Sequence, residues 1–136
     1  MGVDISRFLP QFFEEAEVCL GELERSLAVL GGPDWDAASA ERASRAAHCI
    51  KGNSGAFGFD EVGALSAEIE YALRQSGAGV WATNPSFRED CEHAFGVLNA
   101  LLQARRAGVC GDRDRAREAA NRLRDWQALN ELGTQR

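Results

Sequence analysis

His48 and Lys51 are the side chains in this sequence whose types and spacing could do chemistry together, within the stretch AAHCIKGNSGAFGF at residues 46–59. On a helix they lie one turn apart, and Lys51 is the sole lysine among fifteen basic residues. Glycines stand at 52 and 55, four and seven positions beyond the histidine. Those are the positions whose side chains would crowd its ring, although an interior glycine costs a helix about 1 kcal/mol against alanine. An uncluttered imidazole beside one cation suits covalent phosphoryl acceptance, in which a neutral ring nitrogen attacks phosphorus and later releases the group. At about 4 Å an ammonium stabilises a unit of phosphoryl charge by about 1 kcal/mol in water and up to about 4 kcal/mol near a protein surface. Two bland readings stay open at this level. An exposed helical histidine is ordinarily just solvated, and helix glycines often let a neighbouring helix close in.

The helix that carries these residues is legible from its apolar positions. With Ile50 at the centre of the buried face, Ala43, Ala46, Ala47 and Phe57 fall on the same side, and His48 points roughly 160° away with Gly52 and Gly55. This helix is expected from about Trp35 to Gly58. Before it, Ile5, Phe8, Phe12, Ala16, Cys19, Leu23, Leu27 and Leu30 recur in steps of three and four, one helical stripe that Gly31, Gly32 and Pro33 end. A third helix, capped by Asp60, carries Val62, Leu65, Ile69 and Leu73, and QSGAGV then breaks the chain. Asn84 followed by Pro85 is a cap and first-turn pair for a fourth helix ending near Gly108. A fifth starts at Asp112 and runs through Trp126 with an arginine-rich outer face. No stretch alternates like a strand. The expected architecture is all-α: an antiparallel four-helix bundle with a fifth C-terminal helix packed beside it, forming one domain over residues 1–136.

Composition narrows the function. A net charge of −6 would repel a phosphate backbone, so nucleic acid is not the expected partner. No apolar run approaches the roughly 18 residues of a membrane span, and no export signal opens the chain, which places the protein in the cytoplasm. Cys19, Cys49, Cys91 and Cys110 are widely separated, without metal-ligand spacing, and read as reduced thiols, mostly small core fillers. The KG at 51–52 reverses the order of a phosphate-cradling loop and follows a helix, so no ATP site is expected in this chain. His93 lacks both the glycine clearing and the lysine.

RAAHCIKGNSGAFGF resembles the phosphorylation-site helix of histidine phosphotransfer (HPt) domains, whose motif is close to A-H-x-[LI]-K-G-x-[SA]-G-x-[FL]-G. The opening VDISRFLPQFFEEAEVCLGELERSL is similar to the N-terminal phosphotransfer domains of CheA-type chemotaxis kinases. The resemblance implies that His48 accepts a phosphoryl group at Nε2 from a kinase catalytic domain that binds ATP and Mg, and passes it to the aspartate of a CheY-like response regulator. It implies that Lys51 assists and that Glu70 accepts a hydrogen bond from the histidine Nδ1–H, whereas periodicity alone puts Glu70 at the edge of a buried stripe. Ala67 stands where some relatives have a second histidine. A docking footprint for the regulator is expected around His48 at Ser44, Arg45, Gly52 and Gly55, extended by Gln11, Glu14 and Glu15 of the first helix. No cofactor is expected in this chain, and the isolated domain is expected to be monomeric. An intermediate of a multistep phosphorelay and a helical docking module that is never phosphorylated are the competing readings.

Overall fold

Asp36 decides where the second helix begins. Its carboxylate accepts the backbone N–H of Ser39 at 2.8 Å, while Ser39 Oγ accepts the backbone N–H of Asp36 at 3.3 Å, the reciprocal arrangement of a capping box. In the computed structural model, which describes residues 5–77 and 79–134, α2 therefore spans Ala37–Ser54. Trp35, expected inside this helix, precedes it and donates its indole N–H to the Gly77 carbonyl at 2.8 Å. At the other end the helix stops short of Gly58. Gly55–Phe57 form a 3₁₀ turn closed by Gly58 at φ 70°, a left-handed conformation that glycine adopts without strain.

α1 spans Leu9–Ala28. The apolar stripe starts earlier, but Ile5–Phe8 are a 3₁₀ turn with no buried residue, and Pro10 sits in the first turn of α1, where its missing N–H costs nothing. α3 is Asp60–Ser76; its cap position is Phe59, so Asp60 opens the helix as its first residue and complements the helix dipole instead of capping it. A short helix absent from the sequence reading, α4 at Val80–Thr83, follows. α5 is Pro85–Arg106, with the Asn84 side chain accepting the Ser86 N–H at 2.9 Å. α6 is Arg113–Thr134, started by Asp112, whose carboxylate accepts the N–H groups of Asp114 and Arg115.

α1 packs on α2, α2 on α3, α3 on α5, and α5 returns to α1. The four form a closed up-and-down bundle with α6 laid against α3 and α5. Its centre is built by Leu23, Ile50, Leu65, Ile69, Leu73, Phe87 and Leu98, all essentially inaccessible, each worth about 1.5–3 kcal/mol of apolar burial. The α1–α2 connection is pinned at Gly31, where φ is +75° and a Cβ would lie 1.9 Å from the Ala82 carbonyl oxygen. No strand occurs among the described residues.

Candidate functional site

The α2–α3 seam is lined by small residues. Ser44 and Ser54 on α2 and Ser66 on α3 are fully buried, and a Cβ added at Gly63 of α3 would come 3.1 Å from Ser54 Oγ. Such residues let two backbones approach closely. Glu70 lies seven positions beyond Gly63, on the same face of α3, and it is brought against His48 of α2. His48 Nδ1 and Glu70 Oε2 are 2.9 Å apart. A carboxylate oxygen facing Nδ1 favours the neutral tautomer that carries its proton there, and in that tautomer Nε2 keeps its lone pair.

The two partners are opposite in exposure. The His48 side chain is 59% accessible and that of Glu70 only 7%. Two cations meet the same carboxylate: Lys51 Nζ lies 3.6 Å from Oε1, and Arg74 Nη2 donates to Oε2 at 3.0 Å. One buried carboxylate thus gathers an imidazole and two rim cations. Although the chain carries a net charge of −6, this spot has two cations for one anion, an arrangement suited to receiving a phosphoryl group.

His48 faces outward as its place on the helix predicts. A Cβ at Gly52 or Gly55 would have no neighbour within 4 Å, so these glycines leave open space beside the histidine helix face. At the α2–α3 contact the glycine with a packing reason is Gly63, which the sequence reading did not single out. Ser44 is a correction: it is fully buried, with Oγ donating to the Glu41 carbonyl at 3.0 Å, and takes no part in an outer face. It lies one turn before His48 on the same helix. Arg45 is exposed and paired with Glu41 at 3.5 Å. Gln11, Glu15 and Gly52 do come together, lining a groove of about 190 Å³ with Phe8, Asn53 and Phe57. Glu14 lies on the neighbouring acidic patch with Glu17 and Val18.

Of the cysteines, Cys19 and Cys91 are buried and Cys49 and Cys110 exposed, all as free thiols, so only half are core fillers. Burial, with the Cys49 thiol nearby, pushes the Cys19 thiol up to about 12. His93 is half-buried on α5, and its Nε2 has no hydrogen-bond partner among the described residues. No group of three His, Cys, Asp or Glu side chains among the described residues is placed to hold a metal. No helix among them is long and apolar enough to cross a membrane.

A bundle that presents one histidine from its second helix, backed by a third-helix carboxylate, has the form of a phosphotransfer domain. The Hpt domain family matches residues 7–108, and the chain belongs to it: it is a phosphotransfer domain of two-component signalling. Among individual proteins, it is similar to chemotaxis protein CheA of Rhizobium meliloti (strain 1021), 31% identical over 121 residues that cover 89% of this chain and 16% of that protein. CheA of Salmonella typhimurium is 36% identical over 84 residues, 62% of this chain and 12% of the relative. CheA of Klebsiella aerogenes is 41% identical over 105 residues, 77% of this chain and 15% of the relative. The chain thus spans less than a fifth of the length of the relatives it matches.

Proposed function

We propose that this domain is the phospho-acceptor of a CheA-type chemotaxis kinase, acting in the cytoplasm as a monomeric unit, with His48 as the acceptor residue. The observation that carries the reading is the 2.9 Å contact of His48 Nδ1 with the buried Glu70 carboxylate, which reserves Nε2 of a largely exposed ring for attack. The Nε2 lone pair forms a bond to the γ-phosphorus of ATP held with magnesium by a kinase catalytic domain, and the bond to the ADP oxygen breaks. Nδ1 keeps its proton and Glu70 stabilises the positive charge that develops on the ring. In the second step an aspartate oxygen of a CheY-like response regulator attacks the same phosphorus, and the N–P bond breaks back to the neutral imidazole. Lys51 offsets phosphoryl charge in both steps.

The regulator must close over His48, which puts its contact on α1 and α2. Gln11, Glu15, Gly52 and the half-exposed Phe8 supply a small footprint there, with Glu14, Arg45 and Gly55 at its margins, and a partner that leaves after each transfer needs little buried area. The test is incubation with a CheA-type kinase and γ-labelled ATP. The expected label is stable in base, lost in acid and absent from His48→Gln, whose unfolding midpoint stays near that of the parent because the side chain is exposed. A base-labile label, or one retained by His48→Gln, removes His48 from the role.

A further inference from the structure

Lys51 is asked to do two things that conflict. Its ammonium lies 3.6 Å from Glu70 Oε1, within ion-pair range of the carboxylate that orients His48, yet it must face a phosphoryl group on the opposite nitrogen of that ring. A lysine is a point charge on a flexible stem and can move between the two, but only if something else holds Glu70 when it leaves. Arg74 is placed to do so. It lies four residues after Glu70 on α3, and its Nη2 donates to Oε2 at 3.0 Å, the oxygen that also accepts from His48 Nδ1. A glutamate followed at i+4 by a cation is the favourable orientation for such a pair. Because both residues sit on α3, the pair needs no contact with α2. Around His48 the structure gives Glu70 and Arg74 from α3 and Lys51 from its own helix; from α1, Glu15 reaches Asn53 instead.

We propose that Arg74 is a positioning residue of the phosphotransfer site, one that holds the Glu70 carboxylate against His48 and so releases Lys51 to the phosphoryl group. The proposal rests on His48 being the acceptor, but part of it can be read without any phosphoryl chemistry. In Arg74→Ala, Lys51 is drawn onto Glu70 and the carboxylate loses its second anchor.

The experiment compares the parent with Arg74→Ala, Arg74→Gln and Arg74→Lys, each with Lys51 intact and as Lys51→Ala. Phosphorylation by a CheA-type kinase should fall several-fold in Arg74→Ala and Arg74→Gln and recover in Arg74→Lys. Lys51→Ala should slow the parent markedly and the Arg74→Ala background much less. Imidazole ¹⁵N shifts in the unphosphorylated proteins should show the Nδ1–H population of His48 reduced in Arg74→Ala and restored in Arg74→Lys. Unchanged tautomer populations overturn the proposal even if the parent is never labelled, whereas absence of label from the parent alone strikes at the acceptor assignment. Additive effects of Lys51→Ala and Arg74→Ala would also overturn it, since they would show that the two cations act independently.

Discussion

α3 buries two glutamates, and they are held in opposite ways. Glu61 and Glu70 are 8% and 6% accessible, nearly the same, and each collects cations. Glu61 is taken by Arg105 in a two-pronged fork, with N–O distances of 2.6 and 2.7 Å, and Arg113 stands 3.8 Å away. Arg105 itself stacks over the Phe59 ring at 4.8 Å and is only 20% exposed, so this cluster is closed by permanent charges. Glu70 gives its shortest contact to an imidazole, and His48, Lys51 and Arg74 are each at least 45% open to water. A carboxylate held by a full fork ties α3 to α5. A carboxylate shared among open partners can instead direct a reactive nitrogen.

That contrast can be broken from either side. The largest effect should come from closing the open one: Gly52→Leu fills free space four residues from His48 and should cut phosphorylation and transfer by orders of magnitude. It should also leave the helix as stable or up to about 1 kcal/mol more stable. Measured together, rate and unfolding midpoint must move apart; normal transfer in this variant would mean that access past Gly52 is not needed.

Next in size is the closed cluster. Arg105→Ala strands a buried carboxylate and should cost about 3 kcal/mol of stability while leaving His48 labelling intact below the unfolding transition. Its pH dependence has a definite sign. The Arg105 fork holds the Glu61 carboxyl below its usual range, so the stabilisation is complete above the ordinary glutamate pKa and is lost as pH falls through the lower folded value. The stability gap between parent and Arg105→Ala, followed by denaturant titration, should therefore shrink on acidification; a gap that widens would contradict the assignment.

Glu70→Ala is the subtler break. Its partners are all open to water, so stability should change by less than about 1 kcal/mol, while the loss of a charged hydrogen bond worth about 1.5–3 kcal/mol slows phosphorylation by roughly 10- to 100-fold. Equal rates in the two proteins would make Glu70 a second Glu61, a structural carboxylate only.

The helices and the outward turn of His48 were legible because apolar spacing reports one face of one helix. What spacing does not report is how many neighbours a helix has. α2 packs against both α1 and α3, so a residue well away from its apolar centre, Ser44, is buried. Gly63 and Arg74 were invisible for a related reason: one is close-packed only against Ser54 on another helix, and the other pairs with a carboxylate that periodicity places no deeper than the edge of a buried stripe. Glu61 is not marked by its neighbours in sequence, because the Arg105 that takes its carboxylate lies 44 residues away. The short α4 was hidden in a glycine-rich break, and its close approach to Gly31 joins parts of the chain far apart in sequence.

The site's four polar groups, His48, Lys51, Glu70 and Arg74, lie on two consecutive helices joined by one tight turn. Closing a loop that short costs little chain entropy, and contacts near in sequence form early and fast. The order of assembly follows from this: the α2–α3 hairpin can bring histidine and carboxylate into register before α6 has docked. The C-terminal helix then consolidates a geometry already drawn, and damage there should speed unfolding more than it slows folding.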